Sequence, residues 1–131
     1  MKLLVAAAKA DFGPRLDEAM AELRPLLKPG LTPVSTADLP WTRVLQAEGS
    51  FDGAYRWAAR NYAACCLVET AAGALGRGTF QIAQEFLRLG KRMVVLRSGK
   101  LHRVVDVAET GAGDWKQNYG SVILGVGARC P

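Results

Sequence analysis

Continuous apolar runs alternate with stretches of helical periodicity along this chain of 131 residues. Continuous apolarity predicts strands that are covered on both faces of a sheet. Four such strands are predicted, near residues 2–8, 63–69, 92–97 and 120–125. The segment 31–34 predicts a short edge strand, because Pro33 disfavours a central position. Residues 101–107 predict a further strand, with alternation at its start.

Apolar residues at helical spacing predict helices between these strands. The first begins at Gly13-Pro14 and ends before Pro29-Gly30, and a helical turn or two follows 38–40. Further helices are predicted over 51–62, over about 79–89 with Gly90 as its cap, and briefly from Asp114. Strands separated by helices predict one α/β domain, residues 1–131, built as a three-layer sandwich. Its sheet is predicted to be mostly parallel, with the first strand central.

The net charge of +5 is concentrated in one part of the chain. Residues 76–103 carry one acid, Glu85, and seven cations: Arg77, Arg88, Lys91, Arg92, Arg97, Lys100 and Arg103. This excess favours an anionic ligand such as a nucleotide, although a solvated basic face explains it equally well. The sequence contains no recognised nucleic-acid-binding module, so nucleic acid is not the expected partner.

The cysteines and the single histidine restrict the possible chemistry. Cys65 and Cys66 are adjacent in an apolar run, where their side chains point to opposite faces of a strand. Without a C-x-x-C pair or a Cys/His cluster, we expect neither a metal nor another cofactor. The thiols favour a reducing compartment, and we expect a cytoplasmic protein. His102 follows a turn and is expected at the surface, and no run reaches the ~18 apolar residues that span a membrane.

The most informative segment runs from Glu69 to Thr79 and joins a buried strand to a helix. In open α/β sheets, ligands bind at the carboxyl ends of strands and near helix N-termini. Gly76 and Gly78 would let the backbone approach a ligand closely. The Thr79 hydroxyl would cap the helix or contact a phosphate, which Arg77 would neutralise. A turn with an ordinary threonine cap is the alternative interpretation.

The sequence around this segment resembles a known group of proteins. Gly-Arg-Gly-Thr-Phe-Gln-Ile-Ala-Gln-Glu-Phe, followed by Leu-Gly-Lys-Arg-Met-Val-Val-Leu-Arg, is similar to the core of small Rossmann-like nucleotide proteins. These include the nucleoside 2-deoxyribosyltransferases and the LOG/lysine-decarboxylase-like (SLOG-type) family. The similarity covers roughly residues 63–97. It implies a Rossmann-like fold that binds a nucleotide or nucleoside, often with cleavage of an N-glycosidic bond.

The chain departs from that family at one position. The family has a glutamate three residues after the threonine, whereas Ile82 stands here with Gln81 beside it. Cleavage of a glycosidic bond requires a carboxylate, for which Glu69 is the best substitute and Asp11 the next. The missing glutamate favours a binding or sensing protein without catalysis. The expected ligand-binding residues are Lys9, Asp11, Gly76, Arg77, Gly78, Thr79 and Gln81.

Aromatic residues leave two further alternatives open. The tryptophan and tyrosine residues between 41 and 62 pack in the core or stack a base. The group at 114–119 would bind a base through stacking and hydrogen bonds, or it would form a contact between subunits. The second alternative follows because Trp and Tyr are favoured at interfaces. We expect a homo-oligomer. Three functions therefore compete: a nucleotide-binding protein, an N-glycosidase or deoxyribosyltransferase using Glu69, and an oligomeric interaction protein without a small ligand.

Overall fold

The first strand forms from the apolar run that begins at residue 3. The fold comes from a computed structural model that describes residues 1–9, 12–70, 73–109, 119–120 and 122–129. In it, β1 (Lys2–Ala6) lies between β2 (Thr32–Ser35) and β3 (Ala64–Leu67), and it is parallel to both. Pro33 lies in a strand at the edge of the sheet, as the sequence predicts. β1 has a neighbour on each side, but it lies next to that edge strand rather than at the predicted centre of the sheet.

Three further strands complete the main sheet. β5 (Arg92–Arg97) pairs in parallel with β3, whereas β6 (Lys100–Glu109) and β8 (Val122–Arg129) are antiparallel to their neighbours. The order is β2-β1-β3-β5-β6-β8. A two-residue turn joins β5 to β6, and positive φ angles at Ser98 and Gly99 give it the twist that tight hairpins require. The predicted α/β class with a mostly parallel sheet is confirmed.

A second, two-stranded sheet lies beside the main one. β4 (Leu75–Gly76) pairs antiparallel with β7 (Tyr119–Gly120). The strand predicted at 120–125 is therefore displaced, because Gly120 belongs to β7 and the main-sheet strand begins at Val122. The short helix predicted from Asp114 falls outside the described residues.

In the described part of the chain, four α-helices connect the strands: α1 (Pro14–Leu23), α2 (Trp41–Glu48), α3 (Phe51–Asn61) and α4 (Arg77–Arg88). α1 is shorter than predicted. Pro25 lacks a backbone N–H, and the chain continues from Leu23 as a short 3-10 turn, Arg24–Leu26. α4 begins two residues earlier than predicted, at Arg77.

The carboxyl ends of α3 and α4 are tied to the start of β5. Gly90 has a φ of 68°, and the N–H groups of Gly90 and Lys91 donate to the carbonyls of Leu87 and Phe86. This is the Schellman arrangement that glycine permits at a helix end. The Lys91 ammonium donates to three carbonyls at the end of α3: those of Ala59, Arg60 and Tyr62. One junction therefore ends two helices.

Alternate residues of the parallel strands form two separate apolar clusters. Leu4 and Cys65 pack with side chains of α3 and α4 in one cluster. Leu3 and Cys66 pack with Leu16 and other α1 residues in the other. Since neighbouring residues of a strand point to opposite faces, helices cover both faces of the parallel strands.

The strand order creates a switch point between β1 and β3. From β1 the chain continues to β2 on one side, and it then returns to β3 on the other side. The loops that follow β1 and β3 therefore diverge at the carboxyl edge of the sheet. In open α/β sheets, ligands bind in the crevice at such a point.

Candidate functional site

The candidate site is the N-terminus of α4, next to this switch point. Gly76 is the N-cap residue, with an extended backbone (φ −68°, ψ 155°), and no side chain of the described residues caps the helix. Thr79 is the third helical residue. The predicted threonine cap is therefore wrong, because the helix already begins at Arg77 and places the hydroxyl inside the first turn.

The Thr79 hydroxyl is enclosed without a hydrogen-bond partner. The residue is 3% exposed, and its Oγ1 has no partner among the described residues. The oxygen lies 3.8 Å from where a Cβ on Gly76 would stand, so it points back toward the helix start. Most buried polar groups are paired, and an unpaired one costs about 1–3 kcal/mol. Thr79 is thus an unsatisfied donor and acceptor at a helix N-terminus.

Packing within the protein accounts for both glycines of the site. A Cβ on Gly76 would stand 2.8 Å from the Ala8 Cβ, two residues beyond β1. A Cβ on Gly78 would stand 3.1 Å from the Tyr55 hydroxyl. Glycine at these positions lets the start of α4 approach both the first strand and α3. Their close approach to a ligand stays a prediction.

Tyr55 connects an aromatic group to the start of α4. Its ring centroid lies 6.3 Å from that of Trp41 and 6.2 Å from that of Phe51. Burial raises the pKa of Tyr55, the charge of Asp52 raises it further, and Arg77 acts in the opposite direction. The Arg77 guanidinium therefore lies close enough to the phenol to interact with it through charge.

Glu69 belongs to a different cluster at the same edge. Both carboxylate oxygens accept hydrogen bonds from Arg97, at 2.7 and 3.0 Å. The Glu69 carbonyl accepts two more from Arg15 of α1, at 2.7 and 3.3 Å. The carboxylate raises the pKa of Arg97, chiefly through its hydrogen bond. Among the described residues, no hydrogen bond or ion pair joins this cluster to Thr79.

The remaining predicted residues are dispersed. Lys9 is exposed just after the first strand, and Gln81 is half-buried one turn into α4. Asp11 falls outside the described residues. The cations of segment 76–103 do not form one patch. Along α4 the chain runs from the carboxyl edge of the sheet to the amino edge, and along β5 it returns, so the cations are divided between the two edges. Arg77 and Arg97 lie at the carboxyl edge, whereas Arg92 begins β5 at the other.

Among the described residues, the two cysteines and the histidine form no reactive centre. Cys65 and Cys66 are free and buried. Burial raises the pKa of the Cys66 thiol to about 12 and that of Cys65 well above its usual value, so both stay protonated. His102 is half-buried on β6. In the part of the chain that is described, no three His, Cys, Asp or Glu residues form a metal-binding group. Likewise, no described helix is both long and apolar enough to cross a membrane.

Sequence reasoning missed Arg15, Tyr55 and Arg97 as site residues. The positions of Arg15 and Arg97, at a helix start and a strand end, were the available signals. Two surface depressions, of about 430 and 310 Å³, lie elsewhere. The larger lies between α1 and Ser35, and the smaller lies near Lys91 and Arg103.

Comparison with known proteins gives no indication of function. No protein-family model, curated protein or solved structure matches the chain.

Proposed function

We propose that this protein binds a nucleotide, with the phosphate at the N-terminus of α4. The observation that carries the proposal is the buried and unpartnered hydroxyl of Thr79 in the first turn of that helix. A phosphate oxygen would accept its hydrogen bond and remove the cost of leaving it unsatisfied.

Three features of the surroundings support an anion rather than a neutral ligand. The first turn of an α-helix presents backbone N–H groups that lack intrahelical acceptors. The helix dipole adds a partial positive charge at the same place. Arg77, the first helical residue, is exposed and contributes a full charge. Because Thr79 Oγ1 is enclosed in the unliganded chain, phosphate entry requires the edge to open locally, and association should be slower than diffusion.

The proposal includes a three-layer Rossmann-like arrangement. It is supported by the two apolar clusters, which put α1 on one face of the parallel strands and α3 with α4 on the other. The switch point between β1 and β3 lies beside the start of α4, where ligands of such folds bind. A homo-oligomer stays a prediction that light scattering would test.

The proposed function is binding without glycosidic cleavage. A nucleophile or general acid in such a reaction must face the sugar. Both oxygens of Glu69 already accept hydrogen bonds from Arg97. Reaction at Glu69 would require this ion pair to separate, which favours a positioning role for Glu69 between α1 and β5.

Titration calorimetry with AMP, GMP, CMP and UMP tests the proposal. We expect Arg77→Ala and Thr79→Val each to weaken the binding of the tightest nucleotide by about ten- to hundredfold, since a hydrogen bond to a charged group contributes ~1.5–3 kcal/mol. Arg92→Ala is the matched control, because it removes an exposed arginine at the opposite edge of the sheet. Failure of all four nucleotides to bind, or equal losses in the control, would contradict the proposal.

A further inference from the structure

The first turns of α3 and α4 lie side by side at the carboxyl edge of the sheet. Each helix leads into a parallel strand, so each ends at the amino edge and begins at the other. Lys91 joins the end of α3 to the start of β5. Near the opposite ends of the two helices, the Tyr55 hydroxyl lies 3.1 Å from where a Cβ on Gly78 would stand. The residues at the start of α3 are therefore neighbours of the proposed phosphate site.

The first residue of α3 is an exposed aromatic residue, Phe51. Phe51 is 62% exposed, and its ring is tilted by 32° to that of Tyr55, at a centroid distance of 6.2 Å. The Tyr55 ring also makes an edge-on contact with the ring of Trp41. The Trp41 indole N–H donates to the Thr36 carbonyl at 2.8 Å. Tyr55 therefore packs against Trp41, whereas most of Phe51 is exposed to solvent.

We infer that Phe51, supported by Tyr55, stacks the base of the nucleotide whose phosphate lies at the start of α4. This inference rests on the proposed function and identifies the ligand as one that carries an aromatic base. A single exposed phenylalanine is ordinary on a protein surface. Here Phe51 lies next to Tyr55, whose hydroxyl fills the space that a side chain on Gly78 would occupy and whose phenol interacts with the Arg77 charge. Tyr55 thus lies between the proposed phosphate site and the exposed ring of Phe51.

Tyr55 links the start of α4 to the exposed ring. Its hydroxyl lies 3.1 Å from where a Cβ on Gly78 would stand, and its ring centroid lies 6.2 Å from that of Phe51, so the two proposed contacts belong to neighbouring residues and suit a single ligand. Stacking tolerates any base, because every base has a π face. The surface therefore selects a nucleotide against a sugar phosphate without selecting one base strongly.

The affinities of AMP and ribose 5-phosphate, measured by calorimetry, test the inference. We expect AMP to bind about ten- to hundredfold more tightly, since a base stacked on an aromatic side chain contributes on the order of that factor. Phe51→Ala should remove this advantage, leave ribose 5-phosphate binding unchanged, and be rescued by Phe51→Trp. Val105→Ala is the matched control, because Val105 is another exposed apolar residue, 55% exposed, on β6.

The possible outcomes separate the two proposals. If ribose 5-phosphate binds as tightly as AMP and Phe51→Ala changes neither affinity, the stacking inference is overturned while the phosphate site remains. If neither compound binds, the proposed function fails and the inference fails with it. If Phe51→Ala alters the molar mass seen by light scattering but not the affinity for AMP, Phe51 contacts a second copy of the chain, which also overturns stacking.

Discussion

Replacing Thr79 by valine should stabilise the unliganded protein. The side chain is 3% exposed, and its hydroxyl oxygen has no partner among the described residues. Valine has nearly the same shape, with a methyl group in place of the hydroxyl. The substitution therefore removes an unsatisfied polar group and leaves the packing around it largely unchanged.

The expected gain follows from the cost of the unsatisfied group. A buried hydroxyl without a partner costs about 1–3 kcal/mol, so the free energy of unfolding should rise by a similar amount. For a domain of this size, each kcal/mol raises the melting temperature by about 4 °C. The same substitution should weaken nucleotide binding, since it removes a proposed phosphate contact. Higher stability with lower affinity is the pattern expected of a binding residue.

Thr36→Val is a matched control for which we expect the opposite change in the free energy of unfolding. Thr36 too is 3% exposed, but its hydroxyl accepts from the Ala7 N–H at 3.3 Å and donates to the Ala7 carbonyl at 3.4 Å. Thr36→Val should lower the free energy of unfolding by about 1–3 kcal/mol, because it leaves a buried backbone N–H without its acceptor.

Urea unfolding followed by tryptophan fluorescence measures both effects. Phosphate-free buffer is essential, since a phosphate ion bound to the folded state would raise its apparent stability. If Thr79→Val destabilises the protein as much as Thr36→Val does, the Thr79 hydroxyl is satisfied in solution. The reasoning that leads from this hydroxyl to a phosphate would then be refuted.

Four other substitutions, a Tyr55→Phe background and a pH series test the remaining structural arguments. Burial raises the pKa of Cys66 from 9.0 to about 12, so the folded chain keeps a proton that the unfolded chain loses, and unfolding free energy should fall between about pH 9 and 12. Cys66→Ala should flatten this slope in urea titrations, and an unchanged slope would contradict the assignment. Gly76→Ala should lower the free energy of unfolding by about 1–3 kcal/mol through overpacking against a fixed methyl. Gly78→Ala should cost less in thermal unfolding, and least in a Tyr55→Phe background that lacks the opposing hydroxyl. Glu69→Gln should leave nucleotide affinity within about twofold, because a partly exposed ion pair contributes little; a larger loss in calorimetry would place Glu69 against the ligand.

Much of the sheet could be predicted because the relevant signal is local. The run from Leu3 to Ala8 is apolar at every position, and both faces of β1 are indeed covered. The turn at Ser98-Gly99 and the helix end at Gly90 likewise follow from residues close in sequence. The start of α4 could not be placed in this way. Gly78 is a poor helix former, and its inclusion is explained by contact with α3 rather than by propensity.

The arrangement of the site depends on contacts between distant residues. Glu69 is adjacent to the glycine-rich segment in sequence, yet its partners Arg15 and Arg97 come from α1 and β5. Tyr55 lies far from Gly78 along the chain, and only the packing of α3 against α4 brings them together. A sequence pattern contains none of these pairings, so it predicted a single cluster where the structure has two.

The triple contact of Lys91 has a consequence for synthesis of the chain. The carbonyls that it binds, from Ala59 to Tyr62, emerge from the ribosome about thirty residues before the lysine does. During that interval the last turn of α3 has only water to satisfy it, and it frays. An arginine at this position would not replace the lysine, because a planar guanidinium spreads its donors where an ammonium directs three around one atom. Completion of α3 therefore waits for the third residue beyond α4, so α3 is finished only after α4 has been synthesised.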